Sequence, residues 1–206
     1  GNLYIIGDGD PSLGSDRFGQ TYQTNKLLNL MAEQIKRQGI KRIEGAVIAD
    51  ATIFSTQLTP AKWSWEDMGN YYGAGAAGLN LNENLYRLDL KPGKQVGSPT
   101  SVLRTVPHMY DLRFINEIKT GPVGSGDNGY IFGAPYTQTR FLRGTIPAGV
   151  SSFSIKGSIS DPAMFTAFRM KEELVSCGIM VTGLIVLFKE KSELPFLPIT
   201  LLHSPS

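Results

Sequence analysis

One arrangement occurs twice in this sequence, and the repetition limits what the chain can fold into. "RQGIKRIEGAVI" (37–48) and "SCGIMVTGLIV" (176–186) each read as helix end, glycine, isoleucine, apolar strand. A helix is expected before each glycine. Over 21–38, Leu27, Leu28, Met31 and Ile35 share one face, and Gly39 stands where a left-handed residue ends a helix. In the second copy Asp161-Pro162 supplies an N-cap and a proline at the first helical position, and Gly178 closes the helix. Met164, Ala167, Phe168, Leu174 and Val175 form its apolar stripe. Lys171 falls within that stripe, its stem along the apolar surface and its amine in water. Helices leading into apolar strands predict parallel α/β packing, with the sheet covered on its faces. A further strand, Leu3 to Ile6, comes first and ends at the turn-rich Gly7-Asp8-Gly9-Asp10-Pro11.

Between the copies the pattern changes. "LNLNENLYRLDL" (79–90) alternates around a turn at Asn82-Glu83-Asn84. Val102–Val106, Leu112–Ile118, Tyr130–Phe132, Arg140–Ile146 and Phe153–Ile159 are further strand candidates. No helical stripe falls between about 78 and 158. Glycines and prolines cluster from about 69 to 150, where β-hairpins are expected. The expected architecture is an α/β domain with a mostly parallel, Rossmann-like sheet (1–77 plus 158–206), carrying an inserted all-β domain (78–157).

The bulk properties exclude several partners. Net charge is +2, from 20 basic and 18 acidic residues, with no block of like charge, so nucleic acid is not an expected partner. The longest strongly apolar run, Ile179–Phe188, is far short of the roughly 20 residues a membrane-spanning helix needs. A single cysteine, Cys177, allows no internal disulfide and is expected to be buried and inert. Gly1 stands directly before a strand-like stretch, so the chain is expected to begin in mid-domain, as a fragment. No oligomeric state can be assigned.

Few residues offer chemistry. Gly73-Ala74-Gly75-Ala76-Ala77-Gly78 matches G-x-G-x-x-G, but strand-type alternation follows it where a dinucleotide site needs a helix. A close-packed turn is the expected use, and no cofactor is expected. His108, His203 and Cys177 lack metal-ligand spacing, so no zinc site is expected. Triads assemble from distant positions, which leaves His108 open as a base, although its place after Pro107 favours a surface role. Asp8, Asp10, Glu66, Asp67 and Asp127 sit in turns, where capping accounts for most carboxylates. "EIKTGPVGSGDNGY" (117–130) contains Lys119-Thr120-Gly121, the K-T-G box of serine penicillin-binding enzymes, and Ser125-Gly126-Asp127, a loose copy of their S-x-N box.

Six stretches together resemble one family. "GDGDPSLGS", "GIKRIEGAVIADATIF", "WSWEDMGNYYGAGAAGLNLNEN", "LRGTIPAG", "SDPAMFTAFRMKEEL" and "GIMVTG" follow the order found in D-alanyl-D-alanine carboxypeptidase/endopeptidases of the class C penicillin-binding type. The resemblance runs from about Leu3 to Pro205. It implies a serine hydroxyl activated by a lysine in S-x-x-K, followed by S-x-N and then K-T-G. This chain contains neither S-x-x-K nor S-x-N. In the family the first box precedes "GDGDPSL" and the second follows "LLHSPS", so the chain is expected to be the insert between them. Lys119-Thr120-Gly121 then lies ahead of any S-x-N box, and a hairpin loop is its expected role. The resemblance further implies that Asp67 and Tyr72, in W-x-W-x-D-M-x-x-x-[Y/F], form part of a pocket for the peptidoglycan stem-peptide side chain. Turn capping by Asp67 and core packing by Tyr72 are the structural alternative.

The implied parent is a periplasmic or wall-associated serine peptidase. It would cleave D-Ala-D-Ala bonds and bind β-lactams covalently, which this chain alone is not expected to do. A non-enzymatic wall-binding or protein-interaction module is one rival reading. An unrelated α/β enzyme using His108 or the glycine run is another.

Overall fold

A computed structural model describes residues 1–18, 23–188 and 199. Its elements, in order, are β1 (Leu3–Ile6), α1 (Thr24–Arg37), β2 (Arg42–Ile43), β3 (Val47–Asp50), α2 (Trp65–Met68), β4 (Leu85–Lys91), β5 (Ser101–Val106), β6 (Arg113–Asn116), β7 (Lys119–Gly121), β8 (Asn128–Phe132), β9 (Thr139–Pro147), β10 (Phe153–Ser158), α3 (Pro162–Ser176), β11 (Met180–Val181) and β12 (Ile185–Phe188). The chain divides into two compact units. One holds 1–57, 76–83 and 162–206; the other holds 58–75 and 84–161. These boundaries differ from those expected: 58–75 and 158–161 fall in the β-rich unit and 78–83 in the helical one. For 58–75 the reason is local, because Asn70 and Gly69 are hydrogen-bonded to β8 and β10.

In the first unit, β1, β3 and β12 form a parallel sheet in the order β1-β3-β12, and β2 pairs in parallel with β11. Each strand expected as one piece is broken in two. Arg42–Ala49 interrupts between β2 and β3, and Ile179–Phe188 between β11 and β12. The breaks face each other. Thr182 N–H donates to the Ile43 carbonyl (3.1 Å) and Val47 N–H to the Leu184 carbonyl (2.9 Å), while Gly183 packs directly on the Gly45 carbonyl. The two sequence copies thus run side by side as two parallel strand pairs.

Helix α3 packs on β3 and β12, and α1 packs on α3. The buried face of α1 carries Leu27, Leu28, Ala32 and Ile35. That of α3 carries Ala163, Ala167, Met170 and Leu174; Val175, expected in the stripe, is exposed. Lys171 also departs from expectation, since its Nζ donates to the Gly183 carbonyl at 2.8 Å. The C-terminus of α3 is a Schellman motif. Gly178 N–H donates to the Val175 carbonyl and Ile179 N–H to the Leu174 carbonyl, with Gly178 at φ +84°.

The second unit contains an antiparallel sheet, β10-β4-β5, and a mixed one. Hairpins are expected here; β8 pairs with β9 antiparallel, while β6 and β7 both pair with it in parallel. Tyr86, Leu88, Leu90, Ile118, Ile131, Leu142, Ile146 and Ile155 are buried in this unit.

Asp89 is a buried carboxylate on β4. It accepts from Arg104 Nε (2.8 Å), Arg87 Nε (2.9 Å) and Ser154 Oγ (2.7 Å). The Arg104 and Ser154 bonds hold its pKa down, to about 2. A depressed carboxyl stabilises the fold above the ordinary carboxylate range and ceases to do so as pH falls through the folded value. Because both arginines are half in solvent, Asp89→Asn is expected to cost on the order of 1–2 kcal/mol at pH 7. Urea midpoints of the two proteins should converge as pH drops from about 4 to about 2.

Candidate functional site

The motif "WSWEDMGNYY" builds a short, tightly held platform within the second unit. Ser64 caps α2, its Oγ accepting from Glu66 N–H (3.2 Å). Asn70 then ties the platform down. Its Nδ2 donates to the Glu66 carbonyl (2.6 Å), and its Oδ1 accepts from Ile131 N–H of β8 (2.9 Å). Gly69 admits the close approach of β8, since a Cβ there would strike the Ile131 carbonyl. Gly69 O accepts from Ser158 N–H of β10 (3.0 Å), and the Met68 carbonyl accepts from Ser158 Oγ. Gly73 lies against the Asp67 carbonyl, where no side chain fits.

On this platform Tyr71 and Tyr72 meet edge to face, centroids 5.1 Å apart at 79°. Both remain open, Tyr71 at 52% and Tyr72 at 49% exposure, so core packing does not explain Tyr72. Asp67 is half-buried beside them. Partial burial pushes the Tyr72 hydroxyl up, and the charges of Asp67, Tyr130, Tyr71 and Asp127 push it further. Asp67 and Tyr72 sit on the same short platform, and the Tyr72 hydroxyl also responds to two residues that the sequence pattern did not single out as partners. Tyr130 lies on β8, which Asn70 draws against α2, and Asp127 lies in the turn before it. A half-open aromatic surface bearing carboxylates suits an organic ammonium ion.

The other candidates separate from this site. Lys119-Thr120-Gly121 is a strand, β7, and not the expected loop. Thr120 is buried, its Oγ1 accepting from Gly93 N–H (2.7 Å) and its carbonyl from Gly97 N–H (2.7 Å). Those bonds are structural. In the glycine run, Gly75 packs on the Leu58 carbonyl and Gly78 on the Ala51 carbonyl, so both are close-packed turn positions. His108 lies at an exposed position, and His203 is outside the described residues. Cys177 is half-buried at the end of α3, its thiol pushed up by burial and by Glu173 and Glu33, which disfavours a reactive thiolate. Among the described residues no group of three or more His, Cys, Asp or Glu is placed to hold a metal. Nor is any described helix long and apolar enough to cross a membrane.

A mixed α/β chain with several small sheets and an acidic-aromatic surface has clear relatives among the penicillin-binding carboxypeptidases. Residues 1–198 match the D-Ala-D-Ala carboxypeptidase 3 (S13) family, and the chain belongs to that family. It is similar to D-alanyl-D-alanine carboxypeptidase DacB of Haemophilus influenzae, at 23% identity over 188 residues, covering 91% of this chain and 37% of that protein. It is also similar to the D-alanyl-D-alanine carboxypeptidase of Actinomadura sp. strain R39, at 24% identity, covering 88% of this chain and 33% of the relative. The crystal structure of penicillin binding protein 4 (dacB) from Haemophilus influenzae shares the fold with a TM-score of 0.71 at 17% identity, over 93% of this chain and 40% of that one. A second structure of that protein, complexed with a novel β-lactam, superposes with a TM-score of 0.61 at 16% identity, over 94% of this chain and 38% of that one. The chain thus spans little more than a third of the relatives it matches.

Proposed function

We propose that this chain is a non-catalytic, substrate-recognising region of a serine-type D-Ala-D-Ala carboxypeptidase/endopeptidase that acts on peptidoglycan stem peptides outside the cytoplasm. In this reading a Rossmann-like α/β domain carries an inserted all-β domain, and the region borders the substrate cleft of the parent enzyme. The acylated serine and its lysine base come from polypeptide outside the 206 residues, because no S-x-x-K or S-x-N occurs within them. β-Lactams then bind only where those catalytic segments are present.

One observation supports the reading: Asp67 and Tyr72 lie on one short hydrogen-bonded platform, and Tyr72 stays half-open to solvent instead of packing in a core. Asp67 supplies a carboxylate to the side-chain ammonium of the stem peptide, and Tyr72 packs alongside it. The parent enzyme uses such binding to fix the peptide relative to its reacting bond. The test is an NMR titration with a peptide ending in Lys-D-Ala-D-Ala whose side-chain amine is free. Asp67→Asn is expected to raise Kd roughly tenfold, the size of a lost hydrogen bond to a charged group. An unchanged Kd refutes the pocket.

A further inference from the structure

The sheet β10-β4-β5 turns one face to the core and leaves the other open. Leu88, Leu90 and Ile155 are buried on the inner face. Side chains alternate along each strand, so Arg87, Asp89, Lys91, Arg104, Ser154 and Lys156 share the outer one. The register places them. Lys156 stands directly across from Arg87, and Ser154, Asp89 and Arg104 form one row over the three strands. Arg87, Lys91, Arg104 and Lys156 are all exposed. Asp89 is the only acid on these strands. Four cations against one carboxylate leave the face at +3, more than the +2 of the whole chain, so the rest of the molecule is slightly acidic.

Asp89 fixes the arginines more than it screens them. It is buried, and it accepts from Arg87 Nε (2.9 Å) and Arg104 Nε (2.8 Å). Arg104 makes no other side-chain hydrogen bond among the described residues, and its side chain is 69% exposed, so its Nη donors are held toward solvent. Among the described residues Lys91 and Lys156 form no ion pair. Like charges directly opposite, as in Lys156 and Arg87, weaken a sheet. An anion lying across the face relieves that repulsion.

The spacing selects the kind of anion. At about 3.4 Å per residue, Arg87 and Lys91 stand about 14 Å apart, farther than one small anion reaches. Guanidinium and ammonium donors suit phosphate oxygens. No outward position carries a ring on which a base could stack, and Leu103 and Val106 are the only exposed large apolar side chains on the three strands. Both facts disfavour nucleic acid and a membrane surface. We propose that the outer face of β10-β4-β5 docks a linear polymer bearing phosphate groups, held by Lys156 and Arg87 at one end and by Arg104 and Lys91 at the other. This surface is independent of the stem-peptide reading, which rests on α2. It gives the β-rich unit a tethering role of its own.

The experiment uses the 206-residue chain and a short linear polyphosphate as probe. Lys91→Gln with Lys156→Gln removes two cations that form no ion pair, and an unchanged urea midpoint confirms that the variant is folded. Its affinity at low salt is expected to fall at least tenfold, and the slope of log K against log salt to shrink by about 1.4. Lys41→Gln with Lys62→Gln removes the same charge away from the three strands and should bind like the parent chain. Equal losses in both variants mean that net charge alone is read, and the site is overturned. A Lys91/Lys156 variant that binds like the parent chain overturns it as well. Poly-L-glutamate bound as tightly as polyphosphate refutes the phosphate assignment. Equal retention on vesicles of phosphatidylcholine and phosphatidylglycerol makes the partner a lipid surface and refutes the polymer.

Discussion

Gly183→Ala is expected to destabilise the fold by about 3 kcal/mol, near the upper end of what overpacking costs. An added Cβ would land on the Gly45 carbonyl oxygen and carbon and stand 2.8 Å from Ala46 N. All three are backbone atoms, so no side chain can swing away. The backbone is also pinned on both sides, by the hydrogen bonds from Thr182 to Ile43 and from Val47 to Leu184. Relief therefore requires separating the two strand pairs. Gly178→Ala makes the contrast: nothing stands within 4 Å of its added Cβ, but φ is +84°. Its cost should be only about 1 kcal/mol, from backbone strain alone. Urea midpoints of the two variants check the order; equal losses would contradict the packed contact between the repeats.

Arg140→Leu is the second large effect, at about 3–5 kcal/mol. Arg140 is only 1% exposed. Its Nη1 donates to the carbonyls of Ala134 (3.2 Å), Thr137 (3.0 Å) and Thr139 (3.3 Å), and to Thr137 Oγ1 (3.0 Å). Burial pulls its pKa down, while the neighbouring Tyr86 and Asp111 hold the charge in place. Replacing a buried ion pair by apolar groups is often harmless when both partners go. Here most partners are backbone carbonyls, which no substitution removes, so these part-buried acceptors lose their donor. Gly133→Ala attacks the same feature from the other side, because its Cβ would run into the Arg140 guanidinium. Denaturant titration of both variants measures the effect. A loss below about 1 kcal/mol for Arg140→Leu would show that these carbonyls reach solvent or find other donors.

The sequence was most legible where structure is local. Gly39 and Gly178 end their helices as their positions imply, and the alternation in "LYRLDL" became β4. It was least legible where distant segments meet. The breaks at Gly45 and Gly183 are invisible in either copy alone, because each exists to admit the other. The parallel pairing of β6 and β7 with β9 is equally non-local, and no hairpin signal encodes it. Lys171 looked like a snorkelling side chain because its acceptor, the Gly183 carbonyl, lies twelve residues away across a turn. Asp67 and Tyr72 became visible only through a motif shared with a family, since an acid and a tyrosine in a glycine-rich turn are otherwise unremarkable. The docking of β8 on α2 had no such signal; it depends on Asn70 accepting a hydrogen bond from Ile131, 61 residues further along the chain.

The proposed function separates recognition from bond cleavage: this polypeptide would hold a surface for the peptide, and the nucleophile would come from elsewhere in the parent enzyme. Intact-mass spectrometry after incubation with a labelled penicillin tests that directly. The mass of the 206-residue chain should not change. A stable adduct of one penicillin per chain would show that an acylating serine lies within these residues, and the separation would be wrong.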